Sequence, residues 1–196
     1  MTGLGELSYF LGIEFIKTSR GIIMHQVKYI NETLKRFHMQ NCNSVTVPVE
    51  ANLKIDNSES EQNVYATLYR KIVGCLRFIC HSRLEISYGV GVISRFMTHP
   101  KQSYLVPAKR IMRYLKGTKS CGILFPNQKE KDDLHLMGYT DSDWCGDKVD
   151  RRSTSGFVFL LSGAPISWNS RKQDVVALST CEAEYVASCN APCQGL

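Results

Sequence analysis

The sequence lacks any apolar stretch long enough to cross a membrane. A transmembrane helix needs about 20 consecutive apolar residues, and charged or polar residues interrupt each hydrophobic run of this 196-residue chain well before that length. The amino terminus also lacks the basic segment followed by an apolar segment that marks a secretory signal peptide. We therefore expect no membrane partner and a soluble intracellular protein, either cytoplasmic or nuclear.

The paired cysteine motifs of zinc sites are missing as well. The chain has eight cysteines, but neighbours such as Cys75 and Cys80, or Cys189 and Cys193, are not spaced as C-x₂-C and have no matching pair of histidines. Disulfide bonds are not expected without a secretion signal, because reducing compartments keep thiols free. The sequence thus predicts free thiols and no zinc site.

The chain does contain a very uneven distribution of charge. Residues 61–120 have 11 Lys and Arg against 2 Asp and Glu, whereas residues 121–196 have 7 against 10. These segments are therefore +9 and −3 within a chain of net charge +6. A basic segment followed by an acidic one fits a track for a phosphate backbone that leads to metal-binding carboxylates. Ordinary solvated helices would give the same counts, so charge alone leaves both interpretations open.

The first 63 residues predict a β-hairpin, a helix and a polar linker. Apolar residues alternate from Leu7 to Phe15, a turn cluster follows at 18–21, and an extended pattern resumes after it, so residues 6–26 are typical of a hairpin. The apolar spacing from Val27 to Phe37 then predicts an amphipathic helix. The polar run at 56–63 indicates a surface loop.

Three further helices are predicted over residues 65–81, 84–98 and approximately 104–116. In the third, Lys109, Arg113 and Lys116 share one face. That face is our candidate nucleic-acid-binding surface, because the apolar residues of this helix lie on another face and can pack. Such contacts to phosphates would be independent of sequence and sensitive to salt. The alternative is a solvated helix with no ligand.

The last third of the chain predicts three strands and a helix with two candidate metal ligands. Alternation from Leu134 indicates a strand that ends at Asp141, where a carboxylate can leave the sheet. Ser179 and Glu182 have the S-x-x-E spacing of a capping box, in which Glu182 would bond to the Ser179 N–H. Glu184 has no such local partner. Carboxylates on separate rigid elements suit Mg²⁺, which prefers hard oxygen ligands.

Four ordered segments in this region carry a family resemblance: residues 139–147 (YTDSDWCGD), 151–157 (RRSTSGF), 166–168 (ISW) and 177–185 (ALSTCEAEY). They resemble the ribonuclease H domain of Ty1/copia-type retrotransposon Pol polyproteins. The resemblance implies an RNase H-like fold in which Asp141 and Glu184 are catalytic and bind Mg²⁺. It also implies a third aspartate on a strand after the helix, and we find none before Leu196. The other aspartates of the segment, Asp143 and its neighbours, are interpreted as loop residues.

The amino-terminal segment resembles the end of the reverse transcriptase palm in the same family, through the residues from Gly3 to Glu14 and Tyr29-Ile30. Polymerase chemistry needs paired aspartates that hold Mg²⁺, and the chain contains no Tyr-x-Asp-Asp sequence. DNA synthesis by this chain alone is therefore not expected.

Together these patterns predict an α+β chain with three parts. Residues 1–63 would be the palm end, residues 64–120 a basic helical connection, and residues 121–196 a truncated RNase H-like domain with a three-stranded antiparallel sheet and one helix. The predicted function is that of a polyprotein fragment that ancestrally hydrolysed the RNA strand of RNA–DNA hybrids by two-metal catalysis and is inactive alone. The alternative is a non-catalytic remnant that binds nucleic acid weakly. No small-molecule substrate is expected.

Overall fold

The computed structural model describes residues 7–50, 61–127 and 134–195. Within these residues the chain forms five α-helices and two antiparallel sheets, of four and three strands. It divides into two compact units, Met1–Leu124 and Phe125–Leu196. The α+β class is therefore confirmed, as is the antiparallel three-stranded sheet with one helix. Among the described helices, none combines the length and the apolar character that a membrane span needs.

The first sheet has four strands in the order β1-β2-β3-β4, namely Tyr9–Phe10, Ile13–Thr18, Gly21–His25 and Ile123–Pro126. The predicted hairpin with its turn at 18–21 is confirmed, because β2 pairs antiparallel with β3 and Thr18 lies opposite Gly21. The apolar alternation from Leu7 to Phe15, however, runs across a further turn. Leu11 and Gly12 have φ angles of 47° and 84° and make a tight turn between β1 and β2. A Cβ atom at position 12 would lie 3.1 Å from the Phe78 ring, so the turn also packs closely.

Four helices complete the first unit: α1 (Val27–Arg36), α2 (Ala66–Ile79), α3 (Ser87–Ser94) and α4 (Gln102–Gly117). Their apolar faces form one core, which includes Ile30, Tyr69, Leu76 and Ile111, all buried. The helix predicted over residues 84–98 is shorter than expected, because Leu84–Ile86 is a 3₁₀ turn and α3 ends at Ser94.

A buried arginine joins the turn after α2 to the carboxyl end of α4. The Arg83 side chain is 1% exposed. It donates to Glu85 Oε1 at 2.6 Å, to the Thr118 carbonyl at 2.8 Å and to Thr118 Oγ1 at 2.6 Å. Its guanidinium also lies 5.6 Å from the centre of the Tyr114 ring. The fixed fork of donors on arginine suits such a site, where several acceptors must be satisfied at once.

The second unit is a sheet in the order β5-β6-β7 with one helix on it. The strands are Leu136–Ser142, Thr154–Leu161 and Ala164–Lys172, and α5 is Thr180–Gly195. Ser162 and Gly163, with φ angles of 49° and 85°, make the hairpin turn between β6 and β7. The helix packs over β5 and β6. Its buried residues are small alanines spaced four apart, Ala183, Ala187 and Ala191.

Candidate functional site at the end of strand β5

Asp141 lies near the carboxyl end of β5, at an edge of the three-stranded sheet. Its neighbours face α5, because Thr140 Oγ1 lies 3.3 Å from Ser188 Oγ and Ser142 Oγ lies 3.1 Å from Gln173 Nε2. Side chains alternate between the faces of a strand. The exposed Asp141 side chain therefore projects from the face of the sheet opposite to α5.

Glu184 reaches the same end of β5 from the helix. Its Oε1 accepts a hydrogen bond from the backbone N–H of Ser142 at 3.1 Å. Asp143 donates its backbone N–H to the Thr154 carbonyl on β6. Backbone N–H groups alternate in direction along a strand, so the N–H of Ser142 points away from β6 at the outer edge of the sheet. Glu184 therefore contacts the backbone of the residue that follows Asp141, at the sheet edge, whereas the Asp141 side chain projects from the face opposite to α5.

The start of α5 fixes the position of Glu184. Ser179 Oγ accepts a hydrogen bond from the Glu182 N–H at 3.1 Å, which satisfies one of the donors that a helix leaves unpaired in its first turn. Glu182 differs from the expectation, because its Oε2 accepts from the Leu178 N–H at 2.7 Å rather than from the Ser179 N–H. The cap thus extends one residue further before the helix than the motif predicts.

The remaining aspartates of this region hold a loop rather than the strand end. Asp143 accepts from the Thr154 N–H. Lys172 on β7 lies 2.7 Å from Asp147 and 2.6 Å from Asp150, so one ammonium group bridges the two carboxylates. A loop role for these aspartates was predicted from the sequence, whereas no local signal indicated Lys172, which is distant in sequence.

Gln173 is a second residue that sequence reasoning missed. It is 4% exposed, and its Nε2 lies within hydrogen-bonding distance of Ser142 Oγ, Ser155 Oγ and the Ala183 carbonyl. One amide therefore ties β5, β6 and α5 together beneath the strand end. A single glutamine after a strand has no sequence signature that reveals this role.

Trp144 lies beside the strand end and is half exposed. Its Nε1 donates to the Ala177 carbonyl at 3.1 Å, and 49% of the residue is accessible. The indole is therefore only partly buried, and one hydrogen bond fixes the orientation of the ring.

The basic face of α4 has a structural role in addition to its charge. Arg113 donates to the Asn43 carbonyl at 2.7 Å, and Lys116 donates to the Cys42 carbonyl. Both side chains thus anchor the segment that follows α1. Lys109 is the exposed member of the predicted trio.

The donor set at the end of β5 is consistent with a hard cation. Asp141 and Glu184 offer carboxylate oxygens, the ligands that Mg²⁺ prefers. Within residues 7–50, 61–127 and 134–195, however, no three His, Cys, Asp or Glu side chains are grouped so that they could hold a metal ion.

Comparison with known proteins supports the resemblance seen in the sequence. The family model for reverse transcriptase (RNA-dependent DNA polymerase) matches residues 1–51. Over 94% of its length the chain is 40% identical to the retrovirus-related Pol polyprotein from transposon RE1 of Arabidopsis thaliana. It is 38% identical over 96% of its length to that from transposon TNT 1-94 of Nicotiana tabacum. The chain belongs to the Ty1/copia-type retrovirus-related Pol polyproteins.

This Pol family member aligns with only part of those relatives. It spans 12% of the RE1 polyprotein and 14% of the TNT 1-94 polyprotein. It also covers 76% of an uncharacterized mitochondrial protein of Arabidopsis thaliana, to which it is 35% identical. No solved structure matches the chain.

Proposed function

We propose that the unit containing β5, β6, β7 and α5 is the RNase H-like part of this Pol chain. Asp141 and Glu184 would be its Mg²⁺-binding carboxylates, and the substrate would be the RNA strand of an RNA–DNA hybrid. The observation that supports this proposal is the hydrogen bond from the Ser142 N–H to Glu184, which places the helix carboxylate at the strand end that carries Asp141.

The protein residues have distinct tasks in this proposal. Strand β5 holds Asp141 at a rigid position, and the Ser142 N–H orients the Glu184 carboxylate. Gln173 helps to hold β5 and α5 in place, because its amide bonds to Ser142 on β5 and to the Ala183 carbonyl beside Glu184 on α5. When bound, Mg²⁺ supplies a Lewis acid that stabilises the developing negative charge on the phosphodiester.

We expect the chain by itself to bind Mg²⁺ weakly and to be inactive. Mg²⁺ has a nearly ideal octahedral shell, and two carboxylates leave most of that shell to water. Dedicated two-metal sites hold both ions firmly so that they can position the attacking and leaving oxygens.

The test is a cleavage assay on an end-labelled RNA–DNA hybrid in Mg²⁺, with Asp141→Asn and Glu184→Gln as matched variants. The expected result is no measurable cleavage by the unmodified chain, together with a weak Mg²⁺ response in NMR spectra that either variant removes. Cleavage that both variants abolish would show that the chain is active alone. An Mg²⁺ response that survives both substitutions would place the metal elsewhere and contradict the proposed site.

A further inference from the structure

The backbone of β5 is paired on one side only, because the described strands of the second sheet lie in the order β5-β6-β7. The His135 carbonyl accepts from the Ser162 N–H at 2.8 Å. The Asp143 N–H donates to the Thr154 carbonyl, so the odd-numbered residues from 135 to 143 direct their backbone groups towards β6. The groups that point outwards belong to the even-numbered residues Leu136, Gly138 and Thr140.

The outward side of β5 is complementary to itself when two copies meet antiparallel with Gly138 opposite Gly138. Leu136 of each copy then lies opposite Thr140 of the other, so outward backbone groups face outward backbone groups. Each of these opposed pairs can exchange two backbone hydrogen bonds, which gives about six bonds for the three pairs. The contact is isologous, because the same residues meet on both sides of a twofold axis.

The side chains on the face opposite to α5 match in the same register. Asp141 of each copy lies opposite His135 of the other, and an imidazole N–H can donate to a carboxylate. Met137 lies opposite Tyr139, and these residues are 43% and 55% exposed in the single chain. Methionine sulfur packs favourably against aromatic rings. A register shifted in either direction separates both pairs, so the side chains favour a second copy of this chain over an unrelated strand.

The face that carries α5 also has room for a second copy. A Cβ atom at Gly138 would lie 2.7 Å from the Phe159 ring, so this ring lies over the glycine and the two rings would flank the twofold axis. Helix α5 packs over β5 and β6. Since strands lie about 4.8 Å apart, the two copies of α5 would be about 10 Å apart, which is close to the usual distance between packed helices.

We propose that two copies of this chain associate through β5 and join their three-stranded sheets into one antiparallel sheet with β7 at both ends. Glu184 already accepts from the Ser142 N–H, so the pairing between copies ends at Thr140. The short contact indicates a weak dimer with a dissociation constant in the micromolar range. Neither Mg²⁺ nor nucleic acid takes part, so this inference does not rest on the proposed function.

The first test measures the mass of the full chain by sedimentation velocity over a range of concentrations, without Mg²⁺ or nucleic acid. The expected result is a monomer–dimer equilibrium. Leu136→Pro removes an outward N–H but no bond to β6, and proline is tolerated at the first residue of a strand. It should weaken the dimer about tenfold or more, whereas the control Leu136→Thr keeps the N–H and should retain the dimer. A chain that is monomeric at every concentration would overturn the proposal.

The second test exchanges the opposed charges. His135→Asp places two carboxylates opposite each other at both ends of the contact and should weaken the dimer, because like charges on directly opposed residues are destabilising. His135→Asp combined with Asp141→His restores one carboxylate and one imidazole in each pair and should restore the dimer. Circular dichroism checks that each variant is folded. A dimer that neither Leu136→Pro nor His135→Asp weakens would lie at another surface and refute the proposal.

Discussion

At the scale of single residues, the site depends on side chains that connect elements rather than on the two carboxylates alone. Gln173 bonds to two strands and to α5, and Lys172 bridges Asp147 and Asp150. These contacts hold the end of β5 and the loop after it, so the position of Asp141 is set by residues that have no metal-binding chemistry themselves.

Arg83 is the corresponding residue of the first unit, and its replacement is our first stability prediction. Arg83→Met keeps most of the buried volume but removes the bonds to Thr118 and Glu85. We expect a loss of about 2–4 kcal/mol in the free energy of unfolding, because the partly buried acceptors on Thr118 and Glu85 lose a charged hydrogen-bond donor. Urea denaturation followed by circular dichroism measures this loss.

The control is Arg110→Met. Arg110, whose side chain is 23% exposed, bonds to Glu50, which is 60% exposed, and ion pairs open to solvent contribute less than about 1 kcal/mol. If both variants lose the same free energy of unfolding, the contacts of buried Arg83 stabilise the fold no more than an exposed ion pair does.

At the scale of elements, α4 shows why a basic helix face is an ambiguous signal. The spacing of Lys109, Arg113 and Lys116 correctly indicates one face of a helix, but the sequence does not show that Arg113 and Lys116 already bond to carbonyls of the segment after α1. Their positive charges persist in those bonds, so both a structural and a ligand-binding role remain compatible with the contacts.

The prediction for α4 separates these roles. Replacing all three residues with Gln removes the charges but keeps hydrogen-bond donors for the carbonyls. We expect weak binding to an RNA–DNA hybrid that falls with rising salt, and a smaller salt dependence in the triple variant because fewer counterions are released. Fluorescence anisotropy at several salt concentrations provides the measurement.

Lys71→Gln, on the exposed side of α2, is the control for general loss of charge. If the triple variant and the unmodified chain have the same affinity and the same salt dependence, α4 does not contact the nucleic acid.

The elements themselves were predictable to different degrees. The hairpin of β6 and β7 and the start of α5 follow from local signals, a Ser-Gly turn and a serine cap. The break between β1 and β2 was missed, because alternation continues through Leu11 and only the positive φ angles there reveal the turn. The joining of β4 to β3 is a contact between distant parts of the chain, which periodicity cannot predict.

At the scale of the whole molecule, the first unit has two partly buried ionisable groups that make its stability depend on alkaline pH. Burial raises the pKa of the Cys80 thiol from its ordinary 9.0 to about 11. Burial, with a hydrogen bond to Cys75, raises the pKa of Tyr29 from 10.0 to about 12. Both groups are neutral when protonated, so the fold favours their protonated forms.

The sign of the pH dependence follows from these shifts. The unfolded chain loses these protons at lower pH than the folded chain, so the stabilisation is complete below about pH 9 and is lost as the pH rises towards 11 and 12. We expect the melting temperature to fall between pH 9 and pH 11. Thermal unfolding of the unmodified chain, Cys80→Ala and Tyr29→Phe in parallel tests this. If the melting temperature of both variants falls with pH as steeply as that of the unmodified chain, other groups cause the pH dependence.

The two candidate carboxylates could be chosen from the sequence, whereas the contacts around them could not. Asp141 and Glu184 could be singled out because each follows a recognisable local pattern, a strand end and a helix start. The bond between Glu184 and the Ser142 N–H joins residues 42 positions apart, and the Gln173 amide joins two strands to α5. Such features arise from packing and leave no periodic trace.

The outer edge of β5 has a consequence for handling the protein. This strand is seven residues long and uncharged until Asp141, and Leu136 and Tyr139 are 63% and 55% exposed. Its outward backbone groups form a template onto which a strand of another molecule can add. Concentrated samples should therefore tend towards fibrous precipitates, and dilution or a lysine placed on this strand is the natural remedy.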